Sequence, residues 1–217
     1  MTSTHEELDR ELLRASLELG IHDDDWVAAQ AFVAPLKHKS GVTQVHYYHA
    51  VRVALLCRRI GAFVHLDEKA LFLAGLLHDL GKCQVPLETL GKTSTWEARD
   101  YARIRKHVID GYAFLQGRFD FTAEVILWHH RFQQGGYPRR MPRRLHQYSE
   151  GTKLLIVECG RMLAVADVYD ALHRANSKFG ELRALSGAEI REKMLALNVD
   201  RRRLIEDLYH AGILVTD

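Results

Sequence analysis

Apolar residues recur at intervals of three and four along almost the whole chain, and its β-branched runs are short, so the pattern predicts an all-α fold. From Glu6 to about Leu19 the pattern is amphipathic and stops at Gly20, a residue type common just past a helix end. Asp23 to Asp25 stand before the apolar WVAAQAFVAPL as caps of a second helix. These two helices form an N-terminal lead-in over 1–40. Beyond it, HYYHAVRVALLCRRIGAF predicts a third helix, and DEKALFLAGLLHDLGK a fourth, closed by Gly81. YARIRKHVIDGYAFLQ and FTAEVILWHH follow. An irregular stretch, RFQQGGYPRRMPRRLHQYSEG, carries Gly135, Gly136, Pro138 and Pro142. The last helices are KLLIVECGRMLAVADVYDALHRA, SGAEIREKMLAL and RRRLIEDLYHAG. No internal repeat and no linker divides 41–217, which reads as one catalytic-size unit.

Composition narrows the class. The chain has 217 residues, 47% hydrophobic and 27% charged with four prolines, which fits a globule and excludes a fibrous or largely disordered chain. A net charge of +2 does not call for a long nucleic acid. The basic runs Arg139 to Arg144 and Arg201 to Arg203 read as solvated positions. The N-terminus has neither the basic start nor the apolar stretch of a secretory signal, and no segment approaches membrane-spanning length, so the expectation is a cytoplasmic protein without a membrane partner. Cys57, Cys83 and Cys159 are odd in number and lack CxxC spacing, which excludes a disulfide framework and a zinc knuckle and leaves small buried apolar residues.

The histidines carry the chemistry. There are thirteen, and several fall on apolar faces. His78 and Asp79 follow LAGLL, so two metal-competent side chains arrive at the end of a core helix, where burying them without partners is costly. One such histidine would more often be a satisfied core residue. Here His49, the His78 and Asp79 pair, His107, the adjacent His129 and His130, and Asp167 all lie on or at the end of separate apolar helices. Imidazoles with carboxylates suit iron, manganese, nickel or zinc, and a carboxylate such as Asp79 can be shared by two ions. His46 lies three residues before His49 on a similar face, either supporting a ligand or exposed. His5, His22, His38, His65, His146, His173 and His210 read as surface or satisfied core positions.

The dyad in HDLGK, the upstream His49 in HAVRVALL and the downstream Asp167 in VADVYDAL resemble the H…HD…D signature of the HD superfamily of metal-dependent phosphohydrolases. More narrowly, HDLGKCQVP, IRKHVIDGYAFL, WHH, GGYP and VADVYDAL follow the order and spacing of the HD-GYP cyclic-di-GMP phosphodiesterases, as a divergent, stand-alone member would. The resemblance spans Val45 to Leu214. It implies an HD-domain helical bundle with a dinuclear metal centre in its core. His49, His78, Asp79, His107, His129, His130 and Asp167 would be the metal ligands, with Asp79 the bridge.

The chain departs from that pattern in three places. HHRFQQGGYP stands where the family has HHERxDGxGYP, one residue shorter and without its two acidic residues. Val45 occupies the position of the acidic residue that supports a third metal in some relatives, so two metals are expected. NSKF, from Asn176 to Phe179, replaces the arginine-bearing RPYR, leaving Lys178 to compensate.

The expected function is hydrolysis of cyclic-di-GMP or a related cyclic dinucleotide by a metal-bridging hydroxide, two cations lowering the pKa of water from about 15.7 towards ~7. Asp79 steers that hydroxide, and Lys82 meets a phosphate oxygen. Gly136 and Tyr137, in the GYP string, contact substrate. Alternatives left open are a nucleotide monophosphate phosphohydrolase, an HD-fold di-iron oxygenase and a catalytically weak nucleotide-binding signalling domain. The metals would be iron or manganese, with nickel and zinc also compatible. A homodimer or a separate regulatory protein is left open as a partner.

Overall fold

The structure, a computed structural model, describes residues 4–92, 94–173 and 184–216. These residues fold into eleven α-helices and no strand: α1 (His5–Glu18), α2 (Asp23–His38), α3 (Gly41–Val64), α4 (Glu68–Leu77), α5 (Leu87–Leu90), α6 (Ala98–Arg105), α7 (His107–Leu115), α8 (Asp120–Ile126), α9 (Glu150–Leu172), α10 (Gly187–Leu197) and α11 (Arg202–His210). The all-α expectation holds.

Three helices make the centre of the bundle. The long α3 and α9 pack on each other and on α4, while α8 backs α4 and α9. Residues Leu71 to Leu77 of α4 are all buried, so beyond its first turn this helix has no polar face and lies inside the fold. It comes close to α3 because Gly75 has no side chain: a Cβ there would lie 2.6 Å from Ala54 Cα. Side-chain caps fix where the elements begin. Ser40 and Thr43 exchange hydrogen bonds at the start of α3, Asp67 accepts from Ala70 N at α4, and Ser149 accepts from Thr152 N at α9.

The lead-in helices share this core. Leu8 and Leu12 of α1 and Val33 and Leu36 of α2 belong to the same apolar cluster as α3. Asp9 of α1 accepts hydrogen bonds from the hydroxyls of Tyr47 and Tyr48 at 3.1 and 3.3 Å and from Lys37 at 2.8 Å. Thus α1 is tied to the part of α3 that immediately precedes His49.

Four elements differ from the sequence pattern. Asp23 opens α2 itself, so Asp23 to Asp25 sit in its first turn, where they favour the positive end of the helix dipole. The fourth helix stops at Leu77, and the chain continues as a 3-10 turn, Leu80–Gln84. That turn packs directly on α7, since a Cβ at Gly81 would lie 1.9 Å from the carbonyl oxygen of His107. The single helix expected over 101–116 is broken at Lys106 into α6 and α7. Finally α8 ends at Ile126, so WHH lies in turns. The basic runs also differ from a purely solvated reading: Arg144 Nε lies 2.8 Å from Oε2 of the buried Glu124, and Arg201 pairs with Glu158. Cys57 and Cys159 are buried, whereas Cys83 is half-buried.

Candidate metal centre

The helix breaks and the site have one cause. The last carbonyls of a helix lack intrahelical donors. Here three histidines supply them, each from three residues downstream: His78 Nδ1 to Gly75 O at 2.8 Å, His107 Nδ1 to Ile104 O at 2.5 Å, and His129 Nδ1 to Ile126 O at 2.5 Å. A carbonyl only accepts, so each Nδ1 carries the proton and each Nε2 is left as a bare lone pair. His49 differs because it lies in the middle of α3. Its Nδ1 donates to Asp170 Oδ2 at 2.7 Å, which turns its Nε2 in the same way.

The four Nε2 atoms converge with two carboxylates. Ligand atoms of His49, His78 and Asp79 lie within 4.8 Å of one another, and so do those of His107, His129 and His130. Both carboxylates reach both groups. Asp79 Oδ2 is 3.4 Å from His78 Nε2 and 3.6 Å from His49 Nε2, while its Oδ1 is 3.3 Å from His107 Nε2. Asp167 Oδ1 is 3.1 Å from His49 Nε2, and its Oδ2 is 3.9 Å from His130 Nδ1. Every one of these side chains is buried. Among the described residues, Nε2 of His78, His107 and His129 makes no hydrogen bond. Three buried, unsatisfied lone pairs facing two carboxylates are costly to a fold unless cations take them. The donor set therefore fits divalent metal.

For two of these three histidines the electrostatics agree. Burial pushes His107 down to about 4 and His129 down to about 3, so both are neutral, as a ligand must be. For His78 burial works in the same direction, but the Asp79 carboxylate outweighs it and raises the imidazole above its ordinary value. Burial likewise opposes ionisation of Asp79, yet His78 and Lys82 hold its carboxyl well below the usual range.

Lys82 belongs to the 3-10 turn and donates to Asp79 Oδ2 at 2.5 Å, with Nζ also 3.4 Å from His46 Nδ1. Tyr137 stacks on His130 with ring centroids 4.5 Å apart and meets His107 edge-on at 6.2 Å. Burial, with Asp167 and Asp79, pushes its hydroxyl above the ordinary range. Gly136 is held against the chain, since a Cβ there would lie 2.4 Å from Arg131 O, and Arg131 donates to Pro138 O at 2.6 Å. Lys178 and the NSKF segment lie outside the described residues.

Two groups were not singled out from the sequence. Asp170 and Arg52 stand behind His49; the signal was available, since Asp170 is one helical turn beyond Asp167 in DVYD and Arg52 one turn beyond His49. Arg105 places its guanidinium 5.4 Å from the Tyr137 ring centre. Nothing in the local pattern distinguishes Arg105 from other exposed arginines.

This fold and this arrangement of histidines and aspartates define a class: the chain belongs to the HD domain family, which matches residues 46–172. Among curated proteins it is 31% identical over 147 residues to 3'3'-cGAMP-specific phosphodiesterase 1 of Vibrio cholerae, covering 64% of this chain and 32% of that protein. It is 28% identical over 190 residues to the cyclic di-GMP phosphodiesterase of Thermotoga maritima, covering 76% of this chain and 49% of that one. The chain thus spans at most about half the length of these relatives. The HD domain of the L. monocytogenes phosphodiesterase PgpH shares the fold, with a TM-score of 0.54 at 14% identity over 78% of this chain and 83% of that one.

Proposed function

We propose that this chain is a metal-dependent phosphodiesterase that opens a cyclic dinucleotide, with cyclic-di-GMP or a mixed cyclic dinucleotide as substrate. The observation that carries the reading is that Asp79 and Asp167 each face both histidine groups, an arrangement suited to two cations sharing carboxylates. The relatives named for cyclic dinucleotides support the substrate class.

In this reading His49, His78, Asp79 and Asp167 would hold one metal, and His107, His129 and His130 the other. Iron or manganese suits the imidazole and carboxylate donors. Bound divalent cations supply Lewis acidity and activated water at neutral pH. The protein does the rest. The helix-end carbonyls hold the rings of His78, His107 and His129, so these three need not reorient to ligate. Lys82, poised beside Asp79, gives its ammonium to a phosphate oxygen as charge develops there. Tyr137 covers His130 and excludes water from that side, and it and Gly136 form the wall the substrate meets. Lys178 is assigned a further phosphate contact.

The same proposal treats 1–40 as a helical lead-in to the catalytic unit 41–217. No described helix is long and apolar enough to cross a membrane. A cytoplasmic location is part of the proposal.

The test is chromatographic separation of products after incubating manganese- or ferrous-loaded protein with cyclic-di-GMP and 3'3'-cGAMP. Linear dinucleotide or mononucleotide product is expected. Turnover of nucleotide monophosphates alone would replace the substrate class.

A further inference from the structure

We infer that Asp170 and Arg52 form a positioning pair that sets the protonation pattern of His49 and thereby the affinity of the centre for metal; this rests on the metal reading above. The four ligand histidines that present Nε2 are not held alike. His78, His107 and His129 lie just past helix ends and give Nδ1–H to a carbonyl in the last turn of the preceding helix. His49 cannot, because in the interior of α3 the nearby carbonyls already accept from backbone N–H groups. It needs an acceptor from another element, and the only Nδ1 contact recorded for it among the described residues is Asp170 Oδ2 at 2.7 Å.

Arg52 completes the device. Its Nε donates to Asp170 Oδ1 at 2.6 Å and its Nη2 to Oδ2 at 3.1 Å, a two-pronged grip on one carboxylate. His49 and Arg52 are one turn apart on α3, and Asp167 and Asp170 one turn apart on α9, so the two helices present matched pairs. Asp167 faces the Nε2 side of His49 at 3.1 Å and Asp170 the Nδ1 side. The two-pronged grip of Arg52 holds the Asp170 carboxylate on the Nδ1 side of His49, so the pair acts on the metal through the imidazole. Without Asp170 the proton of a neutral His49 is free to move to Nε2, drawn by Asp167, which blocks the nitrogen that must ligate.

The experiment measures zinc affinity of the full chain by competition with a chromophoric chelator, for the unsubstituted protein, Asp170→Ala, Asp170→Asn and Arg52→Gln. Long-range proton–nitrogen correlation spectra of the metal-free, ¹⁵N-histidine-labelled proteins report the tautomer. A drop of about 10- to 100-fold is expected for Asp170→Ala, with an intermediate drop for Asp170→Asn, whose amide oxygen still accepts from Nδ1. A smaller drop is expected for Arg52→Gln. The His49 signal should shift from Nδ1–H towards Nε2–H in Asp170→Ala. A residue that only braces α3 against α9 would lower the melting temperature without moving the tautomer. Should Asp170→Ala not fold, Asp170→Asn and Arg52→Gln decide. Parental zinc affinity together with an unchanged tautomer in the folded variants overturns this inference and leaves the metal reading standing. Absence of zinc binding in the unsubstituted protein overturns both.

Discussion

The ammonium nitrogen of Lys82 lies 2.5 Å from Oδ2 of Asp79, the carboxylate oxygen that also faces His49 and His78. A side chain so placed belongs to the site without being a ligand, because an ammonium has three donors and no lone pair.

Replacing Lys82 with alanine should therefore leave metal content unchanged and lower kcat on a cyclic dinucleotide. Loss of one preorganised donor to developing phosphate charge costs about 100- to 1000-fold. Elemental analysis and steady-state kinetics on one preparation check this, and loss of metal in Lys82→Ala would remove Lys82 from the phosphate.

Asp79→Ala is expected to behave in the opposite way. Asp79 addresses both histidine groups, so the variant should bind fewer than two metals per chain and show no hydrolysis, with its far-ultraviolet circular dichroism close to that of the parent. Full activity in Asp79→Ala would sink the assignment.

Gly81→Ala tests how the histidine groups are held in register. The added Cβ would lie 1.9 Å from the backbone oxygen of His107, which cannot give way without moving α7. The cost should reach about 3 kcal/mol, the upper end for overpacking, seen as a lower denaturation midpoint, and metal affinity should fall with it. A variant with parental stability would contradict a close approach of the 80–84 turn to α7.

Tyr137→Ala should leave metal bound and raise KM by about tenfold or more, the loss expected when a nucleobase or sugar loses an aromatic wall worth ~1–3 kcal/mol. An effect confined to kcat would move Tyr137 from substrate binding to the chemical step.

Much of this centre is legible from residue order alone. The all-α pattern and the positions of His49, His78, Asp79, His107, His129 and Asp167 follow from apolar helices interrupted by metal-competent side chains, and the structure brings these residues together. The helix ends were harder to read because apolar periodicity continues through Lys106 and through the segment after Leu77. Two contacts accompany those breaks: a local one, in which a histidine ring turns back to cap the carbonyl three residues earlier, and a tertiary one, in which Gly81 lets one turn press on His107. The role of Asp170 is not legible from sequence for a related reason. A carboxylate one turn from a ligand looks like any helical acid until the partner helix shows that His49 has no acceptor of its own. The NSKF segment falls outside the described residues.

The most direct test of the central claim is metal stoichiometry, measured on the purified full chain after loading with manganese or ferrous iron, with hydrolysis of cyclic-di-GMP followed on the same sample before and after chelation. The account predicts two metals per chain and turnover that disappears with chelator and returns with metal. One metal or none at saturation, or turnover that survives complete removal of metal, would contradict it.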